Sequence, residues 1–152
     1  MSTTAPVFVF QDADNAAARW RNVFIMVRHG TLTLARQEHV AQAFRAMRRE
    51  VAGEMGAFFV NLPSSIMPGQ DVRERQGALF KEFAQDPHVH ACVVVVGEGV
   101  AFTLKRSLIR GLMLTRRVLT FSAVEEGANA LGKLVGQDPR ELLEAYRVVE
   151  RR

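Results

Sequence analysis

The run HACVVVVG, residues 90–97, constrains the chain more than any other stretch. Its apolar residues are consecutive rather than alternating, so as a strand it has no face to offer to water. A strand of that kind belongs inside a sheet covered on both sides, and such sheets are mostly parallel. Parallel neighbours need long crossovers, usually helical. The sequence on either side of the run has helical spacing, as that arrangement requires.

Further strands are expected at VFVFQ (7–11), VFIMVRHG (23–30), GAFFVNLP (56–63) and VLTFS (118–122). Between the first two lies DADNAAARWRN, which reads as a polar, alanine-rich connection. From Thr33 a helix runs to about Ala52, with Leu34, Val40, Phe44, Met47 and Val51 at helical spacing. Pro63 closes the third strand, and the loop SSIMPGQ leads to Asp71. Asp71 and Glu74 have capping-box spacing for a helix carrying Leu79, Phe80 and Phe83, and Ser122 and Glu125 repeat that spacing before another. Asp138, Pro139 and Glu141 announce a last helix by cap, first-turn proline and acid. Its stripe of Leu142, Leu143, Tyr146 and Val149 packs either on its own core or on another subunit.

The expected order is β-β-α-β-α-β-α-β-α-α, a single α/β domain over residues 1–152. Its sheet is five-stranded and mostly parallel, with the first strand antiparallel at the edge. The core covers about residues 7–136, and an extra C-terminal helix covers about 138–150. A chain of 152 residues is long enough to bury a sizeable core. No apolar run approaches the roughly 20 residues that span a bilayer, and MSTTAPVFVF lacks the basic head of a secretory signal. The single cysteine, Cys92, excludes an internal disulfide, suits a reducing cytoplasm and reads as a buried small hydrophobe. The expected location is therefore cytoplasmic.

Few residues suggest bond-making chemistry. Gly97-Glu98-Gly99 follows a strand and opens a helix, but a dinucleotide fingerprint needs a third glycine where Phe102 stands, and no Walker-type lysine follows. Gly97 and Gly99 are left as a tight turn or a ligand- or anion-binding position. His88 and His90 make half a metal site, with His29 close only if their strands are neighbours, and no acid is placed by sequence to complete a set. Ser107 and Thr115 sit in no nucleophile-elbow pattern. The expectation is a protein that is not an enzyme and uses no metal or cofactor.

Charge is more telling in its distribution than in its total. Residues 99–124 contain Lys105, Arg106, Arg110, Arg116 and Arg117 and no acid. Within VAFTLKRSLIRGLMLTRR (100–117), Phe102, Leu104, Leu108, Ile109, Leu112 and Met113 share a face at about 100° per residue. Arg106 and Arg110 lie at its margin, and Lys105 falls inside the apolar arc. This helix either covers the sheet or leaves an apolar face with a basic rim for an acidic protein, a second copy or an anionic membrane surface. Nucleic acid is disfavoured, because Trp20 and Tyr146 lie far from the basic stretch and no aromatic interleaving occurs.

In element order, and in the segments FFVNLP and RVLTFSAVEEGANALGKL, residues 7–136 resemble the STAS domains (sulfate transporter and anti-sigma-factor antagonist). The closest likeness is to the small bacterial branch grouped with Sec14-type lipid-binding domains. The resemblance implies a regulatory or scaffolding module that binds a protein partner or itself, as a dimer. Anti-sigma antagonists carry a phosphorylated serine at the helix start after the third strand; here that position reads Pro68-Gly69-Gln70-Asp71. Ser64 and Ser65 fall earlier, in the loop, so the resemblance implies partner binding without the usual phospho-switch. Asp71 then serves as a permanent negative charge or simply as a helix cap. The expected contact surface is Lys105, Arg106, Arg110, Ser64, Ser65 and Asp71. The Sec14-like side of the resemblance implies the alternative, a carrier or sensor of a lipid or other apolar small molecule.

Overall fold

The computed structural model describes residues 4–97 and 118–151. The helix expected over residues 100–117, and with it Gly99, Lys105, Arg106 and Arg110, lies outside the described residues.

Six strands form one sheet in chain order: β1 (Val7–Gln11), β2 (Asn15–Trp20), β3 (Val23–Arg28), β4 (Met55–Asn61), β5 (Val89–Val95) and β6 (Val118–Phe121). β3 to β6 are parallel, as the unbroken apolar character of β5 requires; β1–β2 and β2–β3 are antiparallel. The α/β class holds, but the sheet has six strands rather than five and is mixed. The additional strand is NAAARW, expected to be a connection. Alanine has little preference for strands, yet this segment pairs on both sides and its alanines are wholly buried, Ala17 on one face and Ala16 and Ala18 on the other. The first strand is antiparallel at the edge as expected, with β2 as its partner instead of β3.

Local chemistry accounts for the two N-terminal turns. The Asp12 carboxylate accepts the N–H groups of Asp14 and Asn15 at 2.9 and 2.8 Å, closing the β1–β2 turn. Arg21, at φ 51°, makes the tight β2–β3 turn. The Asn22 amide locks it in place by donating to the Glu54 and Val135 carbonyls, both at 2.9 Å.

Four helices are described: α1 (Leu34–Glu50), α2 (Gln70–Ala84), α3 (Val124–Val135) and α4 (Pro139–Glu150). The Thr33 and Asp138 side chains cap α1 and α4 as their sequences suggest. The two capping boxes do not form: α2 starts after Gly69 and α3 after Ala123, neither with a side-chain cap. Asp71 instead sits in the first turn of α2, where its carboxylate accepts the Val72 N–H at 2.8 Å.

Strand alternation divides the core into two. Phe24, Met26, Ala57, Ala91 and Val93 face α1 and α2. Ile25, Val27, Phe58, Val60, Cys92 and Val94 face α3 and α4. The stripe on α4 packs on this second core, with Leu142 and Val149 fully buried and the Tyr146 ring 5.9 Å from that of Phe58. α4 also reaches back to the start of the chain: Arg21 bonds Gln137 and Glu141, and the Gln11 amide donates to the Arg151 carbonyl.

Candidate functional site

α1 and α2 lie side by side on one face of the sheet, but they close over it unevenly. Towards their C-terminal ends they are clamped together. The rings of Phe44 and Phe83 stack 4.0 Å apart, Arg45 grips Glu82 through two nitrogens, and Arg48 bonds Asp86 at 2.7 Å. Towards their N-terminal ends a pocket opens, with a cavity of about 70 Å³. Its floor is Met26, Phe59 and Val93, at matching levels of β3, β4 and β5. Val40 and Gln37 of α1 form one wall, Leu79, Phe80 and Gly77 of α2 the other, and Met67 and Pro68 sit on the loop between. Phe59 occupies a central strand and is still only partly buried, because its ring faces this space.

Gly77 is informative because a helix interior normally disfavours glycine. A β-carbon added there meets nothing within 4 Å, so no close approach demands a glycine. What its missing side chain does is leave the pocket wider.

At the C-terminal ends of the strands the lining turns polar. Arg28 and Asn61 stand opposite each other in the β3–β4 register, and both are buried. Arg28 continues the face of Phe24 and Met26, which carries it into the core. Its Nη atoms donate only to neutral oxygens: the Asn61 side chain at 3.4 Å, the Gly30 carbonyl at 3.2 Å and the Ile66 carbonyl at 2.7 Å. Its buried Nε has no partner among the described residues. Burial draws the guanidinium pKa down to about 10, which leaves it charged at neutral pH. A buried cation without a carboxylate costs on the order of several kcal/mol. Arg73 on α2 adds a second, half-exposed cation, and no acid lines the pocket among the described residues.

The residues singled out by sequence distribute unevenly around this site. Ser64 and Asp71 are exposed on the loop and helix start that also carry Met67 and Pro68. Ser65 is buried, its hydroxyl donating to the Leu62 carbonyl at 2.7 Å. Gly97, at φ 145°, leaves β5 on the same sheet edge as Arg28 and Asn61, the Val96 N–H donating to the Asn61 carbonyl. His29 follows the end of β3 at this edge, whereas His88 and His90 lie at the start of the parallel β5, at the opposite edge, and β4 runs between the two strands. Both of those imidazoles bond Glu54, which holds its carboxyl below the usual range. No group of three His, Cys, Asp or Glu residues fit to hold a metal occurs among the described residues. The Cys92 thiol, pushed up to about 12 by burial, stays protonated at neutral pH.

Of the pocket residues, Val40, Leu79 and Phe80 are legible in sequence only as apolar helix positions, and Arg28, Gln37, Asn61 and Gly77 are not singled out. Arg28 had a signal: two and four positions after Met26 and Phe24, it had to share their buried face. Gln37 likewise sits in the apolar stripe of α1, and it is buried. Among the described residues no helix is long and apolar enough to cross a membrane. No family model and no curated protein matches the chain.

Proposed function

We propose that this protein is a non-catalytic, cytoplasmic binding module that carries or senses an apolar small molecule between its sheet and helices α1 and α2. The observation that carries the reading is the apolar pocket at the C-terminal ends of β3, β4 and β5, widened by Gly77. Apolar walls with a few convergent polar groups are the usual composition of a small-molecule site. The order of elements supports placing this reading beside the Sec14-like branch of the STAS resemblance.

Native mass spectrometry of the freshly purified protein tests the reading. An added mass that departs on denaturation, and is missing from Gly77→Leu, is the expected result. A bare mass, together with no uptake of medium-chain amphiphiles added at millimolar concentration, overturns it.

A second reading, a protein contact around Ser64 and Asp71, is supported by the exposure between them of Ile66, at 57%. Lys105, Arg106 and Arg110 belong to this reading through their sequence. A partner recovered by pull-down and lost on reversing Arg106 and Arg110 to Glu would favour it.

A further inference from the structure

The chemistry of the ligand's head follows from Arg28, the one Lys or Arg buried among the described residues. Arg28 is 6% exposed, and every hydrogen bond it makes among the described residues ends on a neutral oxygen. Desolvating a guanidinium without a counter-charge is unfavourable, and the chain does not avoid the cost, although a methionine or leucine would fit the apolar alternation of β3. Among its described lining residues the pocket contains Arg28, Arg73 and no acid. Arg28 lines the pocket beside Gln37 and Asn61, and its buried Nε has no hydrogen-bond partner among the described residues.

We propose that the pocket's ligand is a monocarboxylate with an apolar tail, its carboxylate held against Arg28 and its tail lying over Met26, Phe59 and Val93. This rests on the small-molecule reading above and specifies its substrate class. Three features select a carboxylate over other heads. A single buried positive charge is balanced by a single negative one. Arg73, half exposed, is already solvated and does not require a second. A planar carboxylate also matches the edge of a guanidinium better than a tetrahedral dianion, which would need more charged donors than the site offers.

Cavity size limits how much of the ligand is enclosed. About 70 Å³ is less than half of the ~150 Å³ of an engineered core cavity that takes up benzene. The enclosed part therefore holds the head and its first carbons, and a longer tail leaves past Met67 towards exposed Ile66.

Isothermal titration of the full chain with octanoate, octanol and octyl phosphate tests the inference. Octanoate is expected to bind at least tenfold more tightly than octanol and more tightly than octyl phosphate. Arg28→Met should remove the preference for octanoate while leaving octanol affinity within about twofold. Equal affinities for octanoate and octanol in the wild-type protein overturn the proposal, and that comparison stands even if Arg28→Met fails to fold. Tighter binding of octyl phosphate also overturns it, by assigning the head to phosphate. If none of the three binds, and Gly77→Leu behaves as wild type, it is the small-molecule reading itself that has failed.

Discussion

On the face covered by α3 and α4, a β-carbon added at Gly127 lands 2.7 Å from Val94 Cγ2, and one at Gly132 lands 2.9 Å from the Gln137 carbonyl oxygen. On the face covered by α1 and α2, a β-carbon added at Gly77 meets nothing within 4 Å. The same residue type serves opposite ends. In α3 glycine lets a helix approach the sheet until the core is filled. In α2 it keeps volume empty that a larger residue would occupy. Both faces carry an extensive buried core, but α3 is packed tightly at Gly127, whereas the α1–α2 face opens a pocket beside Gly77.

Removing residues 138–152 attacks the filled face most severely. It strips Leu142, Tyr146 and Val149 from a core in which they are buried. We expect aggregation with no folded monomer in size-exclusion chromatography; a soluble, cooperatively unfolding remnant would mean that the fold does not depend on this face. Gly127→Ala is the milder version, with a contact too short to tolerate, and should cost about 1–3 kcal/mol in denaturant titration. Gly77→Ala should do the reverse and stabilise the protein by about 0.5–1 kcal/mol, because it improves a helix interior and meets no neighbour. Should it destabilise instead, Gly77 is needed for packing and the comparison loses its second half.

The smallest effect is expected outside both faces, at Glu54. Its carboxyl is held low by His88 and His90, so it stabilises the folded state above its unfolded pKa of about 4.3 and ceases to as pH falls through the lower folded value. The difference in Tm between wild type and Glu54→Gln should be slight near neutral pH and vanish in acid. A difference that grew in acid would assign the contact the wrong sign.

The sequence revealed most where side-chain pattern and burial coincide. The run at β5 and the Asp138–Pro139 start of α4 each carry their own instructions, and the structure follows them; the stripe of α1 is followed at Val40, Phe44 and Met47, while Leu34 is exposed and Val51 falls past the helix end. β2 was not legible because alanine carries no pattern: Ala16, Ala17 and Ala18 are buried by their neighbours on both sides rather than by any strand preference of their own. The caps of α2 and α3 were misread for a related reason. Where a helix begins there depends on tertiary contacts, such as the approach of Gly127 to Val94, and these outweigh a local serine or aspartate. The pocket was hidden because it is made of residues from three strands and two helices that have no spacing in common. Only Arg28 announced it, through a charge placed in an apolar alternation.

The reach of α4 back to β2 and β3 has a consequence for synthesis. Each strand pairs with the one that precedes it in the chain, so the sheet can grow strand by strand as the polypeptide leaves the ribosome. Trp20 and Ile25 nevertheless keep one side uncovered until Leu142 and Tyr146 emerge. A chain that lacks the residues from 139 onward therefore has a nearly complete sheet whose back α3 covers at β4 and β5 but which stays bare at β2 and β3, a form for chaperones to hold and proteases to find.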